Sequence, residues 1–199
     1  MRVCLFNGKG GVGRTTLALN LAGAFAVRFP RWRVLVADCD PQGSALAWAA
    51  LAEETPFTVG RSRSRGFDLE ILDLPPRIPE NGVLPNADLY LVPTLLDGVS
   101  FVVFLRTLQL LQEQGIRPLT IANRVHPWRA EHRDRLQHPG LHQAIVIRDR
   151  SALASTYARG HTVFSYPSAQ PHYQMARADI DGLAERVLHR LRAPTRRAA

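Results

Sequence analysis

The chain has 199 residues, 46% apolar and 21% charged, a globular composition that excludes a disordered or fibrous protein and provides for one layered core, expected as a single domain over 1–199. No apolar run reaches the ~18 residues of a membrane span, and with six residues before Asn7 no signal peptide is expected. The 25 basic and 17 acidic residues give +8, unevenly: residues 1–122 carry 12 basic and 11 acidic groups, residues 123–199 carry 13 and 6. A basic part joined to a near-neutral part points to a polyanion partner, with nucleic acid the first candidate and an arginine-rich solvated surface the plain alternative.

In chain order, residues 2–6 form an apolar run ending at Asn7-Gly8, as a buried strand entering a loop does. Residues 15–27 have Leu17, Leu21, Ala24 and Phe25 at helical spacing. A second strand at 32–37 is broken by Asp38-Cys39-Asp40-Pro41, and 44–52 reads as a helix. A third strand at 67–72 stops at Asp73 and Pro75-Pro76. A fourth at 89–92 leads to a helix at 99–114, a fifth strand occupies 118–122 and a sixth 144–147. Helices follow at 152–159 and 177–192. Short apolar strands alternating with amphipathic helices predict an α/β fold: three layers, a mostly parallel twisted sheet with helices on both faces. Ligands bind such sheets outside the carboxyl ends of the strands. Cys4 and Cys39 are expected as buried, reduced thiols and not as a disulfide framework.

The loop Gly8-Lys9-Gly10-Gly11-Val12-Gly13-Arg14-Thr15-Thr16 lies between a strand and a helix. Glycines there let backbone N–H groups converge on an anion, and the helix N-terminus adds its dipole. Two glycines five apart, then a basic residue and Thr15, follow the phosphate-loop pattern, with the Thr15 hydroxyl available to Mg²⁺. Of the 25 basic residues 24 are arginine, and the one lysine is Lys9, inside this loop.

These residues resemble the deviant phosphate loop of the ParA/MinD family of ATPases, in which an extra lysine, here Lys9, follows the first glycine. Asp38-Cys39-Asp40-Pro41-Gln42-Gly43 is similar to the family's Asp-x-Asp-Pro-Gln-Gly stretch, and Leu69 to Asp73 followed by two prolines resembles its Walker B strand. The match runs along nearly the whole chain. The resemblance implies a P-loop fold, ATP with Mg²⁺ as cofactors, a homodimer formed on ATP binding in which Lys9 touches the partner's nucleotide, nonspecific DNA binding, and a ParB-like or other stimulating adaptor. It implies a cytoplasmic, nucleoid-associated ATP hydrolase that segregates or positions plasmid or chromosomal DNA. One departure is Arg14, where the family has lysine; its planar guanidinium is not a compact ammonium. Two alternatives stay open: a nucleotide-gated switch with little hydrolysis, and a MinD-like or cargo-positioning ATPase.

The candidate catalytic residues are Lys9, Arg14 and Asp40, the last on the family position associated with the attacking water. Asp73 ends a buried strand, where a carboxylate can hold Mg²⁺ through water, and Thr15 and Asp38 complete the expected metal set. The nucleotide-binding set is residues 8–16 with Asn123 and Arg124, which resemble the family's base-side segment; the loop 165–168 is a candidate pocket closure. For DNA the candidates are Arg129, Arg133, Arg148, Arg150, Arg186 and Arg190, giving salt-sensitive, sequence-independent binding. Residues 61–65, alternating arginine and serine, read as either a solvated loop or part of that surface. His126, His132, His138 and His142 lack a zinc-ligand pattern. The last helix reads as packing on the sheet, with a basic membrane-surface helix as its rival and a membrane partner not expected.

Overall fold

The computed structural model describes residues 1–61, 66–78 and 82–193; the arginine–serine run at 62–65 falls outside them. Among these residues, strands β1 (Arg2–Leu5), β2 (Val34–Asp38), β3 (Thr58–Gly60), β4 (Leu69–Asp73), β5 (Leu89–Thr94), β6 (Leu119–Val125) and β7 (Ile145–Arg148) form one sheet in the order β3-β2-β4-β1-β5-β6-β7. Every neighbouring pair is parallel. The helices are α1 (Arg14–Arg28), α2 (Ser44–Leu51), α3 (Gly98–Glu113), α4 (Ala130–Leu136), α5 (Ser151–Tyr157) and α6 (Pro171–Arg192), with a 3₁₀ turn at Pro139–Leu141.

Alternation along the strands builds two cores. Val3, Leu5, Val36 and Ile71 point to one face, where they meet Leu21 and Phe25 of α1, Trp48 of α2 and Ile180 and Leu183 of α6. Cys4, Phe6, Leu35 and Leu72 point to the other, against Phe104 and Leu111 of α3 and Leu141 of the 3₁₀ turn. Strands buried on both faces read as unbroken apolar runs, which is why the sequence displays them so clearly.

The differences from the expected elements have local causes. β3 is three residues on an edge, and α4 is a polar helix that buries His132, so neither carries an apolar period. β5 runs on through Pro93 to Thr94. The side of Pro93 that lacks an N–H faces β1, whose ladder has already ended, and its carbonyl accepts from the Asn7 side chain at 2.8 Å. β6 extends to Val125 across an irregularity between Ala122 and Val125. Finally, α6 begins six residues earlier than expected, with Pro171 in its first turn, where a missing N–H costs nothing. Cys4 is buried, whereas Cys39 is only half-buried.

Candidate nucleotide-binding site

The loop from β1 to α1 is fixed at its back. Val12 is buried, and its carbonyl accepts from Asn123 Nδ2 at 2.8 Å. Asn7, fully buried, accepts from the Lys9 N–H at 2.9 Å, and Thr107 of α3 bonds both Asn7 Oδ1 and the Gly8 N–H. Gly13 has φ +93°, a left-handed conformation, and a Cβ there would lie 2.4 Å from Asn123 Nδ2. Only glycine meets both demands. Gly13 also precedes the first turn of α1 without any side-chain cap, so that turn presents its N–H groups to the loop's concave side.

Arg14 lies within this cradle, 7% exposed. Its Nε donates to the Leu74 carbonyl at 2.9 Å, and its Nη1 to the carbonyls of Asn7 at 3.0 Å and Lys9 at 2.7 Å. One guanidinium therefore ties the end of β1, the loop and the segment after β4, and the two hydrogens of Nη2 remain for an anion. Burial lowers the Arg14 pKa from its ordinary value, opposed by the charges of Asp73 and Asp40.

Asp73 is 1% exposed and accepts from Thr15 Oγ1 at 2.6 Å. Its Oδ1 is buried and has no hydrogen-bond partner among the described residues. Burial raises its pKa to about 6, the Thr15 bond and the Arg14 charge counteracting. A buried, partnerless carboxylate oxygen beside a threonine hydroxyl fits a hard cation. No cluster of three or more metal-ligating side chains occurs among the described residues, so Mg²⁺ held here would draw its remaining ligands from phosphates and water, as Mg²⁺ commonly does.

The two aspartates after β2 differ. Asp38 Oδ2 accepts from the N–H groups of Ala45 and Leu46, and Oδ1 from that of Asp40, so its carboxylate serves as the cap of α2. This is the capping role that competes with the expected metal role. Among the described residues Asp40 accepts only from the Gln42 N–H, through Oδ1, and it is half-buried at the open side of the loop. Lys9 Nζ rests on the Gly10 carbonyl at 3.3 Å, at the half-buried rim.

Several supporting residues carried no motif in the sequence. Asn20, buried in α1, donates to the Thr16 carbonyl and accepts from the Val163 N–H, linking the first turn of α1 to the 162–168 segment. Arg177 of α6 holds that segment through the carbonyls of Val163, Tyr166 and Ser168. Tyr157 donates to the Ser44 carbonyl at the start of α2, and burial together with Asp73 and Asp38 raises its pKa. The one signal that could have found Asn20 is a polar residue within the buried face of α1. Asn123 sits at the back of the loop, while Arg124 is exposed with φ +52°, the strained step that lets Asn123 turn inward.

The DNA candidates do not share one surface. Arg148 is exposed at the carboxyl end of β7, opposite Val125, with Arg129 and Arg133 on the neighbouring loop and α4. Arg190, near the end of α6, bonds the Arg117 carbonyl at the opposite end of β6, and Arg186 lies one turn before it. Arg150 is half-buried and ion-paired with Asp179 at 3.0 Å.

With β1 running into this glycine loop and α1 starting from it above Asp73, the chain has the P-loop architecture of nucleotide-binding proteins. The model of the CobQ/CobB/MinD/ParA nucleotide-binding domain matches residues 3–163, and the chain belongs to that family. The maintenance of carboxysome distribution protein A of Gloeobacter kilaueensis is 35% identical over 140 residues, covering 63% of this chain and 63% of that one. The chromosome-partitioning ATPase Soj of Thermus thermophilus is 32% identical over 118 residues, covering 39% of this chain and 47% of that one. The matched region thus spans less than two thirds of each relative. In fold, the MinD cell division protein of Aquifex aeolicus has a TM-score of 0.70 at 20% identity, covering 94% of this chain and 97% of that one. Cyanothece McdA in its ATP complex has a TM-score of 0.68 at 14% identity, with 94% and 95% covered. No helix among the described residues is long and apolar enough to cross a membrane.

Proposed function

We propose that the chain is an ATP-driven switch of the ParA type: Mg²⁺-ATP closes two copies face to face, the dimer holds DNA without sequence preference, and hydrolysis stimulated by a ParB-like or other adaptor releases it. The observation that carries this reading is the Thr15–Asp73 pair with its partnerless Oδ1 beneath the uncapped start of α1. Asp73 and Thr15 would hold Mg²⁺, which would supply charge neutralisation of the phosphate oxygens. The loop N–H groups and Arg14 Nη2 bind and orient the phosphates. Asp40, with one oxygen outside its turn, holds and aligns water at the open side. Lys9 extends from the rim to the partner's nucleotide. Two relatives are named for carboxysome distribution and chromosome partitioning, which supports a role in positioning a large cargo.

A second reading, a nucleotide-gated switch with slow hydrolysis, is favoured by Arg14, because a side chain tied to three carbonyls follows a moving charge less freely than an ammonium. Both readings require ATP-dependent dimerisation. Sedimentation with Mg²⁺-ATP and with Mg²⁺-ADP tests it: ATP alone should convert monomer to dimer, and Lys9→Ala should abolish the conversion while leaving ADP affinity unchanged within about twofold. Mass independent of nucleotide refutes the switch, and phosphate release by the dimer, with DNA and adaptor present, separates the two readings.

A further inference from the structure

The turn after β6 holds an aromatic ring out into solvent. Trp128 is 74% exposed, whereas Trp48 is buried and Trp32 is stacked on Phe29. The backbone of the turn beneath Trp128 is held at several points, while His126 Nδ1 is buried without a hydrogen-bond partner among the described residues. Arg133 Nη1 donates to the carbonyls of Pro127 and Trp128, at 3.1 and 2.9 Å. The Arg129 N–H donates to the His126 carbonyl and the His126 N–H to His132 Nδ1, both at 3.1 Å. His126 Nε2 lies 3.0 Å from Asp149, and its ring centroid is 5.2 Å from that of Trp128. The exposed ring is therefore presented by a fixed backbone, so that little ordering remains to be done when a ligand meets it.

Its surroundings are cationic. Arg124, Arg129 and Arg148 are exposed and make no ion pair among the described residues, and Arg148 stands across the sheet from Val125. The nearby carboxylates are mostly engaged, Asp149 with His126 and Glu131 with Arg135, leaving Asp134 of α4. An exposed ring on a surface with unpaired arginines matches an unpaired base on a phosphate backbone, since bases stack on aromatic rings and arginines contact the phosphates. A duplex meets the arginines equally well but keeps its base faces stacked.

We propose that Trp128, on the same end of the sheet as the exposed Arg124, Arg129 and Arg148, is a stacking platform for unpaired bases, and that this end of the molecule binds single-stranded nucleic acid. The proposal rests on reading this end as a polyanion surface, and adds a preference that the arginines alone do not give. The test uses the full chain with an oligothymidylate of about 20 nucleotides and a duplex of the same length, followed by anisotropy and by tryptophan emission. The oligothymidylate should quench the emission. Trp128→Ala should weaken its binding about tenfold, with the duplex changed by less than about twofold, and Trp128→Phe should retain most of the affinity. Equal losses on both ligands, no loss on either, or an effect confined to ATP-dependent dimer mass would overturn the platform. Absence of binding to both ligands by the unaltered protein at low salt would instead overturn the polyanion reading on which it rests.

Discussion

The phosphate loop and the turn after β6 both lie at the carboxyl ends of the strands, and they are built on opposite plans. Around the loop, nearly every polar group has an internal partner: Asn123 on Val12, Asn7 on Lys9 and Pro93, and Arg14 on three carbonyls. Among the fully buried side-chain atoms around the loop, the exception is Asp73 Oδ1. Around the turn, the backbone is equally fixed, but Arg124, Arg129 and Arg148 extend outward without ion-pair partners among the described residues. A loop organised in advance concentrates its function in a few residues with large individual effects. A charged surface spreads it over many with small ones. The expected effects of substitution follow this difference.

The largest effect is expected at Gly13. Alanine there meets Asn123 Nδ2 and also adopts a left-handed φ that L residues disfavour. Gly13→Ala should abolish detectable ATP binding by calorimetry while leaving the circular dichroism spectrum unchanged. Adding Asn123→Ala removes the collision but not the strain, so the double variant should recover binding only in part. Full recovery would mean that φ at Gly13 carries no cost.

Next comes Arg14. An ammonium cannot reproduce a fork that reaches the carbonyls of Asn7, Lys9 and Leu74 together, and an unsatisfied buried carbonyl costs about 1–3 kcal/mol. Arg14→Lys should therefore bind ATP about tenfold more weakly and hydrolyse it no faster in single turnovers. Unchanged affinity with faster turnover would show that arginine merely stands in for lysine.

How far the sequence revealed this depended on what each residue does. The phosphate loop, the apolar strands and Asp73 were legible because glycine spacing, buried runs and a carboxylate at a strand end each leave a local pattern. Asn20, Arg177 and Tyr157 were not, because they act on carbonyls and amides far along the chain, and such contacts leave no period or motif. The capping by Asp38 was readable only as one of two roles, since an aspartate before a helix suits either. The arginines of the basic part were countable but not placeable: the chain itself does not show that Arg190 and Arg148 fall at opposite ends of the sheet.

Asp73 should show a smaller, pH-dependent effect. Its folded pKa of about 6 lies above the ordinary 3.8, so between those values the folded chain holds a proton that the unfolded chain lacks. Nucleotide-free stability therefore suffers the full penalty of the buried charge above pH 6 and regains it as the pH falls toward 4. Asp73→Asn removes the charge and should stabilise the nucleotide-free protein at pH 8 by about 3 kcal/mol, or several degrees in Tm. The gain should vanish near pH 4, and Mg²⁺-dependent nucleotide binding should be lost throughout. A gain independent of pH would place the effect in packing and not in charge.

The smallest effects are expected on the basic surface, and the choice of residues matters there. Arg150 was a natural target in the sequence, but it is half-buried against Asp179, so removing it strands a carboxylate and perturbs the contact between the start of α5 and α6. Arg129 and Arg148 have no such partners among the described residues and can be neutralised with little effect on the fold. Arg129→Gln with Arg148→Gln should weaken duplex binding several-fold at low salt and reduce the salt slope by about two, in equal measure for unrelated sequences. Arg186→Gln with Arg190→Gln, at the far end of β6, provides the comparison. If the polyanion is held at the end that also carries the nucleotide, this second pair leaves the slope unchanged. A slope that falls for both pairs would mean that DNA runs along the whole length of the sheet, and the contrast between a concentrated site and a local charged surface would then give way to a charged surface distributed over the entire flank.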